Sequence, residues 1–140
     1  MKQLFKSLKY FLIVLFVLIS QISCKSTSFQ SSTILKPATV WKGGAYQYNV
    51  GYSWDITVSF PQENQQFIIH YPSIGCSGYW RLLNSDDQSL EFREIITKGQ
   101  DKCTNNGRVV LKKKDDVSYE FYYYWPDDQE FNAYGLIFKR

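Results

Sequence analysis

From residue 40 onward the chain alternates. In Tyr52-Ser53-Trp54-Asp55-Ile56-Thr57-Val58-Ser59-Phe60 the large residues take every second place while Ser, Asp, Thr and Ser fill the others. Successive side chains on a strand point to opposite faces, so a period of two predicts a strand with one face buried and one wet. Pro61 ends it, since proline has no N–H for the ladder. The same reasoning predicts strands at residues 39–48, 66–71, 79–83, 90–97, 108–113, 117–125 and 131–138, with Gly43-Gly44 as a kink in the opening one. NSDDQ, Asn105-Asn106-Gly107 and Pro126-Asp127-Asp128 are the turn signals between them. Eight short strands with short polar links, and no helical period longer than two turns, predict an all-β fold. Successive hairpin-length links favour a small antiparallel meander, and eight strands suffice to close a barrel.

Residues 71–103 organise the middle of the chain. YPSIGC brings a turn and the first of the two cysteines of the body, and the strands at 79–83 and 90–97 follow before Cys103. A Cys76–Cys103 disulfide would staple the outer ends of this strand pair. A loop of that length is expected to contribute roughly 3 to 4 kcal/mol on the chain-entropy model.

The first 23 residues read differently. Lys2, Lys6 and Lys9 precede an unbroken apolar run from Tyr10 to Ile19, and small polar residues lead to Cys24. A positive start, an apolar core of about ten residues and a small residue before the cut form an export signal, and ten residues are half of what a spanning helix needs. Three cysteines in an exported chain leave one unpaired, which asks for an explanation. Residues 1–23 with Cys24 resemble a bacterial lipoprotein signal, in which the cysteine is acylated after cleavage. Ser23 fits that pattern, and Gln21 stands where such signals usually place Leu. The expected organisation is a signal peptide at 1–23, a flexible Ser/Thr-rich tether at 24–38 and the β-barrel domain at 39–140. The resemblance implies an exported protein held by a lipid on the bacterial cell envelope, the outer membrane being favoured over the inner.

Charge removes one class of partner. The formal net charge is +3, but residues 24–140 carry 13 Lys and Arg against 13 Asp and Glu, so a mature chain is near neutral and lacks the basic footprint of a nucleic-acid binder. Lys112 to Lys114 are answered by Asp115 and Asp116, as at a solvated hairpin tip.

Candidate chemistry is sparse. His70 is the single histidine and alternates with Phe67, Ile69 and Tyr71, so it is expected on the wet face, and too few ligands remain for a zinc site. No phosphate loop, GxSxG or HExxH is present, and neither an enzyme nor a cofactor is expected. Glu94 shares a face with Leu90, Phe92 and Ile96, and Arg81 lies between Tyr79 and Leu83. Two opposite charges on the apolar faces of neighbouring strands read as a pair, either a structural or rim pair or a buried one that lines a pocket or specifies register. Tyr122 and Tyr124 alternate with Tyr119, Phe121, Tyr123 and Trp125, which puts them outside, and Tyr46 and Tyr48 add two more tyrosines from the opening strand. Tyrosines on a wet face suit recognition.

One resemblance bears on the body. YPSIGCSGYWRLL, then FREIITKG, then Cys103, Gly107, Val109 and Leu111 at C-x3-G-x-V-x-L spacing, with Ala133, Gly135 and Ile137 at the end, resemble a small disulfide-containing β-rich domain of bacterial exported proteins, also found in extracytoplasmic or C-terminal regions of larger ones. It covers residues 41–138 and implies the fold and the disulfide, with no catalytic residue. The architecture expected is lipocalin- or avidin-like. The expected function is a noncatalytic domain, anchored to the membrane by its lipid, that binds a protein or an envelope glycan through its aromatic face. The alternatives are a carrier of a small apolar ligand inside the barrel and a periplasmic inhibitor of lysozyme or a protease.

Overall fold

A computed structural model describes residues 38–61 and 66–140. The expected signal, the tether and the acylated Cys24 lie outside the described residues. Eight strands follow in order: β1 (Thr39–Gln47), β2 (Tyr52–Phe60), β3 (Phe67–Tyr71), β4 (Cys76–Ser85), β5 (Ser89–Lys98), β6 (Arg108–Asp115), β7 (Ser118–Tyr124) and β8 (Ala133–Lys139). Each pairs antiparallel with the next, and β8 returns to β1, closing the barrel. Closure pairs every strand with a neighbour on both sides over at least part of its length, which matters for a chain so rich in aromatic residues.

Alternation decides what fills the barrel. Trp41 and Ala45 of β1, Trp54, Ile56 and Val58 of β2, Ile69 and Tyr71 of β3, and Phe121 and Tyr123 of β7 all point inward and are buried. At the β1–β8 seam the two backbones pass so close that a Cβ on Gly43 would run into the Leu136 carbonyl and one on Gly135 into that of Gly44. Glycine is what allows a small barrel to close tightly there. The expected kink at Gly43-Gly44 therefore becomes an unbroken strand.

The two ends differ. At one end, where β1 begins and β2 finishes, Trp41 packs against Tyr119 and Phe60 at centroid separations of 4.9 and 5.2 Å. Phe60 continues to Phe67 and Phe67 to Phe92, at 5.2 and 4.8 Å. Trp80 lies between Phe92 and Phe121. These rings plug that half of the interior, which is called the closed end below. The opposite end, the mouth, is framed by the β1–β2, β3–β4, β5–β6 and β7–β8 connections. The disulfide Cys76–Cys103 ties the start of β4 to the β5–β6 connection, with its Cα atoms 6.4 Å apart.

β4 departs from expectation. It spans Cys76–Ser85 and buries Cys76, Gly78 and Trp80, so Arg81 faces solvent, not the core. Arg81 stands opposite Arg93, and a register shift between Leu82 and Asn84 follows. Leu82 and Leu83 are exposed on the projecting β4–β5 arm. Apolar residues on both faces of this arm made its parity misleading.

Candidate functional site

The mouth opens into a cavity of about 260 Å³. Its walls are Gln47 from β1, Trp54 from β2, Tyr71 from β3 and Tyr123 from β7. Val50, Ile74, Trp125 and the segment Lys102 to Thr104 come from the four connections and form the rim. A barrel plugged at one end and open at the other, with loops converging on the opening, is a cup.

Glu94 of β5 is at its floor. It is 2% exposed, and its main chain is fixed where the N–H donates to the Gly107 carbonyl at 2.9 Å and the carbonyl accepts from Asn106 N–H at 3.1 Å. Its Oε1 accepts a hydrogen bond from the Tyr71 hydroxyl and another, at 3.3 Å, from Trp80 Nε1. The Tyr123 hydroxyl, 3.5 Å from the Thr104 carbonyl, also bears on the carboxylate. Loss of water raises the Glu94 carboxyl to about 7, and these donors act the other way by favouring the anion. The Tyr71 hydroxyl is pushed well above its ordinary value, first by burial and then by the neighbouring carboxylate. Burial and Glu94 raise Tyr123 in the same way.

The expected Glu94–Arg81 pair does not form, because the two side chains occupy opposite faces of the barrel wall. Across from Glu94 on β4 stands Trp80. Among the described residues no Lys, Arg or His nitrogen comes within 4.0 Å of the Glu94 carboxylate. Sequence reasoning found Glu94 and missed Tyr71, Trp80, Trp54, Trp125 and Lys102 as its surroundings. Only the register Trp80↔Glu94 and the closure of the sheet bring them together.

The four tyrosines expected on a wet face do gather outside the barrel. Tyr46 packs on Tyr48 at 5.5 Å, Tyr48 on Phe131 at 5.8 Å, and Phe131 on Tyr122 and Tyr124 at 5.4 and 6.4 Å. Tyr134 completes the cluster beside Tyr122. Two cations lie over the rings, Arg108 on Tyr124 at 3.8 Å and Lys112 on Tyr122 at 4.9 Å. The Tyr122 hydroxyl donates to Glu120 at 2.9 Å, and partial burial with that carboxylate raises it to about 12. A wider, shallower groove of about 540 Å³ borders this cluster along the β1–β8 seam, between Tyr134 and Phe138. It holds no buried charge, and the rings beside it mostly satisfy one another.

Among the described residues, two turn aspartates are taken up by local hydrogen bonds. Asp86 accepts from the Gln88 and Ser89 N–H groups at 2.7 Å each, as turn aspartates do. Asp128 accepts from Asn132 Nδ2 at 3.0 Å. His70 is exposed between Thr57 and Ser77 of the adjoining strands, and Lys113 pairs with Asp116 at 2.8 Å. Compared with protein-family models, with curated proteins and with solved structures, the chain matches none, and its function has to be argued from the cup and the aromatic face themselves.

Proposed function

We propose that this is an exported, lipid-anchored and noncatalytic barrel that captures a small ligand in the cup at its mouth. The carrying observation is Glu94, a buried carboxylate at the floor of a cavity rimmed by four connections. An apolar pocket with a few convergent polar groups and a perturbed acid is the usual form of a small-molecule site. Of the sequence-derived alternatives this is the lipocalin-like one, with the aromatic plug restricting the ligand to the mouth half. The cup lining holds no carboxylate besides Glu94 and no histidine, and its other polar side chains are those of Gln47, Tyr71, Tyr123, Lys102 and Thr104. Native mass spectrometry of the full chain taken from its own cell envelope tests the reading. The expected mass lacks residues 1–23, carries acyl groups and retains a small molecule that Glu94→Gln releases. A soluble product with a free Cys24 thiol refutes the anchor, and an unliganded protein under all gentle conditions refutes the carrier.

A second reading is favoured by the outer cluster of Tyr46, Tyr48, Tyr122, Tyr124, Phe131 and Tyr134 with Arg108 and Lys112 above it. Tyr and Arg are the residues that dominate recognition surfaces. On this reading a protein or an envelope glycan docks on the outside of β1, β8 and β7.

A further inference from the structure

We propose that the cup is a receptor for a small organic ammonium ion, held by the Glu94 carboxylate at the floor and by the faces of the surrounding tryptophan and tyrosine rings. The inference rests on the cup being a ligand site and adds the charge and class of the ligand.

The floor is arranged for an anion. Tyr71 and Trp80 both donate to the same Glu94 oxygen, and the Tyr123 hydroxyl, 3.5 Å from the Thr104 carbonyl, is the second hydroxyl near it. Donors placed this way bond to either form of the acid and favour the carboxylate over the neutral form. Yet a buried carboxylate is costly unless a cation accompanies it, and none among the described residues is within 4.0 Å. Lys102 is the one cation of the lining, and it leans over Gly75 at the rim. Without a cation beside it the carboxyl keeps its proton up to about pH 7, and a cation entering through the mouth would let it ionise.

The walls suit the same guest. Trp54, Tyr71, Tyr123 and Trp125 line the cavity, with β3 and β7 on opposite sides of the closed barrel. Ring faces attract a desolvated cation, tryptophan most strongly, and such walls are the usual means of recognising quaternary ammonium groups. A neutral guest would leave the carboxyl protonated and gain no ion pair, and an anionic one would be repelled by the ionised form. About 260 Å³ corresponds to roughly nine water volumes. That accommodates a trimethylammonium head with a short tail.

Proton linkage follows. The titratable groups facing Glu94 are Tyr71 from β3 and Tyr123 from β7, with Lys102 at the rim. Both tyrosines are raised, so neither ionises near neutrality, and Glu94 is the acid that changes form there. An ammonium ion binds the anionic form, so binding below about pH 7 must release the Glu94 proton and weakens as pH falls.

The test is calorimetric and fluorimetric titration of the full chain with choline and with its neutral carbon isostere, 3,3-dimethylbutan-1-ol, at pH 6 and 8. Choline is expected to bind roughly tenfold more tightly at pH 8 than at pH 6, as a carboxyl near 7 requires, and to perturb the emission of Trp54 and Trp125. The isostere should bind at least about tenfold more weakly, with no pH dependence. Glu94→Gln should lose the choline affinity while keeping the β circular dichroism spectrum. Equal binding of choline and the isostere overturns the ammonium assignment and leaves the cup as a ligand site. Failure of choline to bind, with a non-cationic molecule retained in the native protein, has the same meaning. Failure of both probes with an empty native protein overturns the ligand site as well.

Discussion

Glu94 is expected to dominate the pH dependence of stability near neutrality, since burial raises its carboxyl to about 7. Below about pH 4.5 its carboxyl is protonated in both the folded and the unfolded chain, whereas between there and about 7 only the folded chain keeps the proton. Unfolding in that window releases a proton, so rising pH favours the unfolded state, and roughly 3 kcal/mol of stability is lost by pH 8. The exposed Asp86, Asp115 and Asp116 act in the opposite sense, because turn and ion-pair contacts hold them below the ordinary carboxylate range. Their small contribution is present above that range and disappears as pH falls through it. Glu94→Gln carries no titrating proton, so its melting temperature should change little between pH 5 and 8, where the wild type falls by on the order of ten degrees. Calorimetry of both proteins at the two pH values decides it. The same slope in both would mean that Glu94 is ionised throughout.

Among the elements, β7 shows how two faces of one strand are put to different use. Phe121 and Tyr123 are buried in the barrel, while Tyr122 and Tyr124 lie outside under Lys112 and Arg108 and against Phe131. Parity alone placed these residues correctly, since a strand of seven residues without a mid-strand bulge keeps its period of two. What parity could not give is the coverage of the outer rings by Phe131 from the β7–β8 connection. Tyr122→Ala with Tyr124→Ala should therefore cost roughly 1 to 3 kcal/mol through lost ring and cation contacts, with the barrel intact. Denaturant unfolding measures the loss, and faster hydrogen exchange in residues 125–132 should accompany it. A cost above about 4 kcal/mol would place the rings in the core. If the double variant still binds the partner captured by the wild type from envelope extract, docking on the aromatic face is wrong. β4 is the contrasting element. Its shift at Leu82/Asn84 and its exposed leucines break the simple relation between apolar residue and inner face.

For the whole molecule, closure and the disulfide act together on the mouth. The staple crosses from β4 to the β5–β6 connection that supplies Lys102, Cys103 and Thr104 to the rim. Gly107 lets that connection return over the Tyr123 ring, where a Cβ would collide. Removing the bond frees the unfolded chain and loosens one side of the cup. Cys76→Ala with Cys103→Ala should lower the unfolding free energy by roughly 2 to 5 kcal/mol. Chemical denaturation measures that, and ligand affinity should fall further than in a variant destabilised equally at the closed end, such as Phe60→Leu. Non-reducing peptide mapping that finds both thiols free would remove the staple from the account.

The sequence by itself determined the strands, their antiparallel succession, the cysteine pairing and the inner face of β2, β5 and β7. The strands and faces follow from local alternation and turn chemistry, and the pairing from two cysteines placed at the outer ends of one strand pair. It also marked Glu94 as an acid on an apolar face. Tertiary structure alone decided what surrounds that acid. Its neighbours Tyr71, Trp80 and Tyr123 come from β3, β4 and β7, brought to one point by the β4–β5 register and by the return of β8 to β1. A pattern along one strand fixes which way a side chain points. Which residues it meets depends on how far each strand is shifted against the next and on where the sheet closes, and those quantities belong to the barrel.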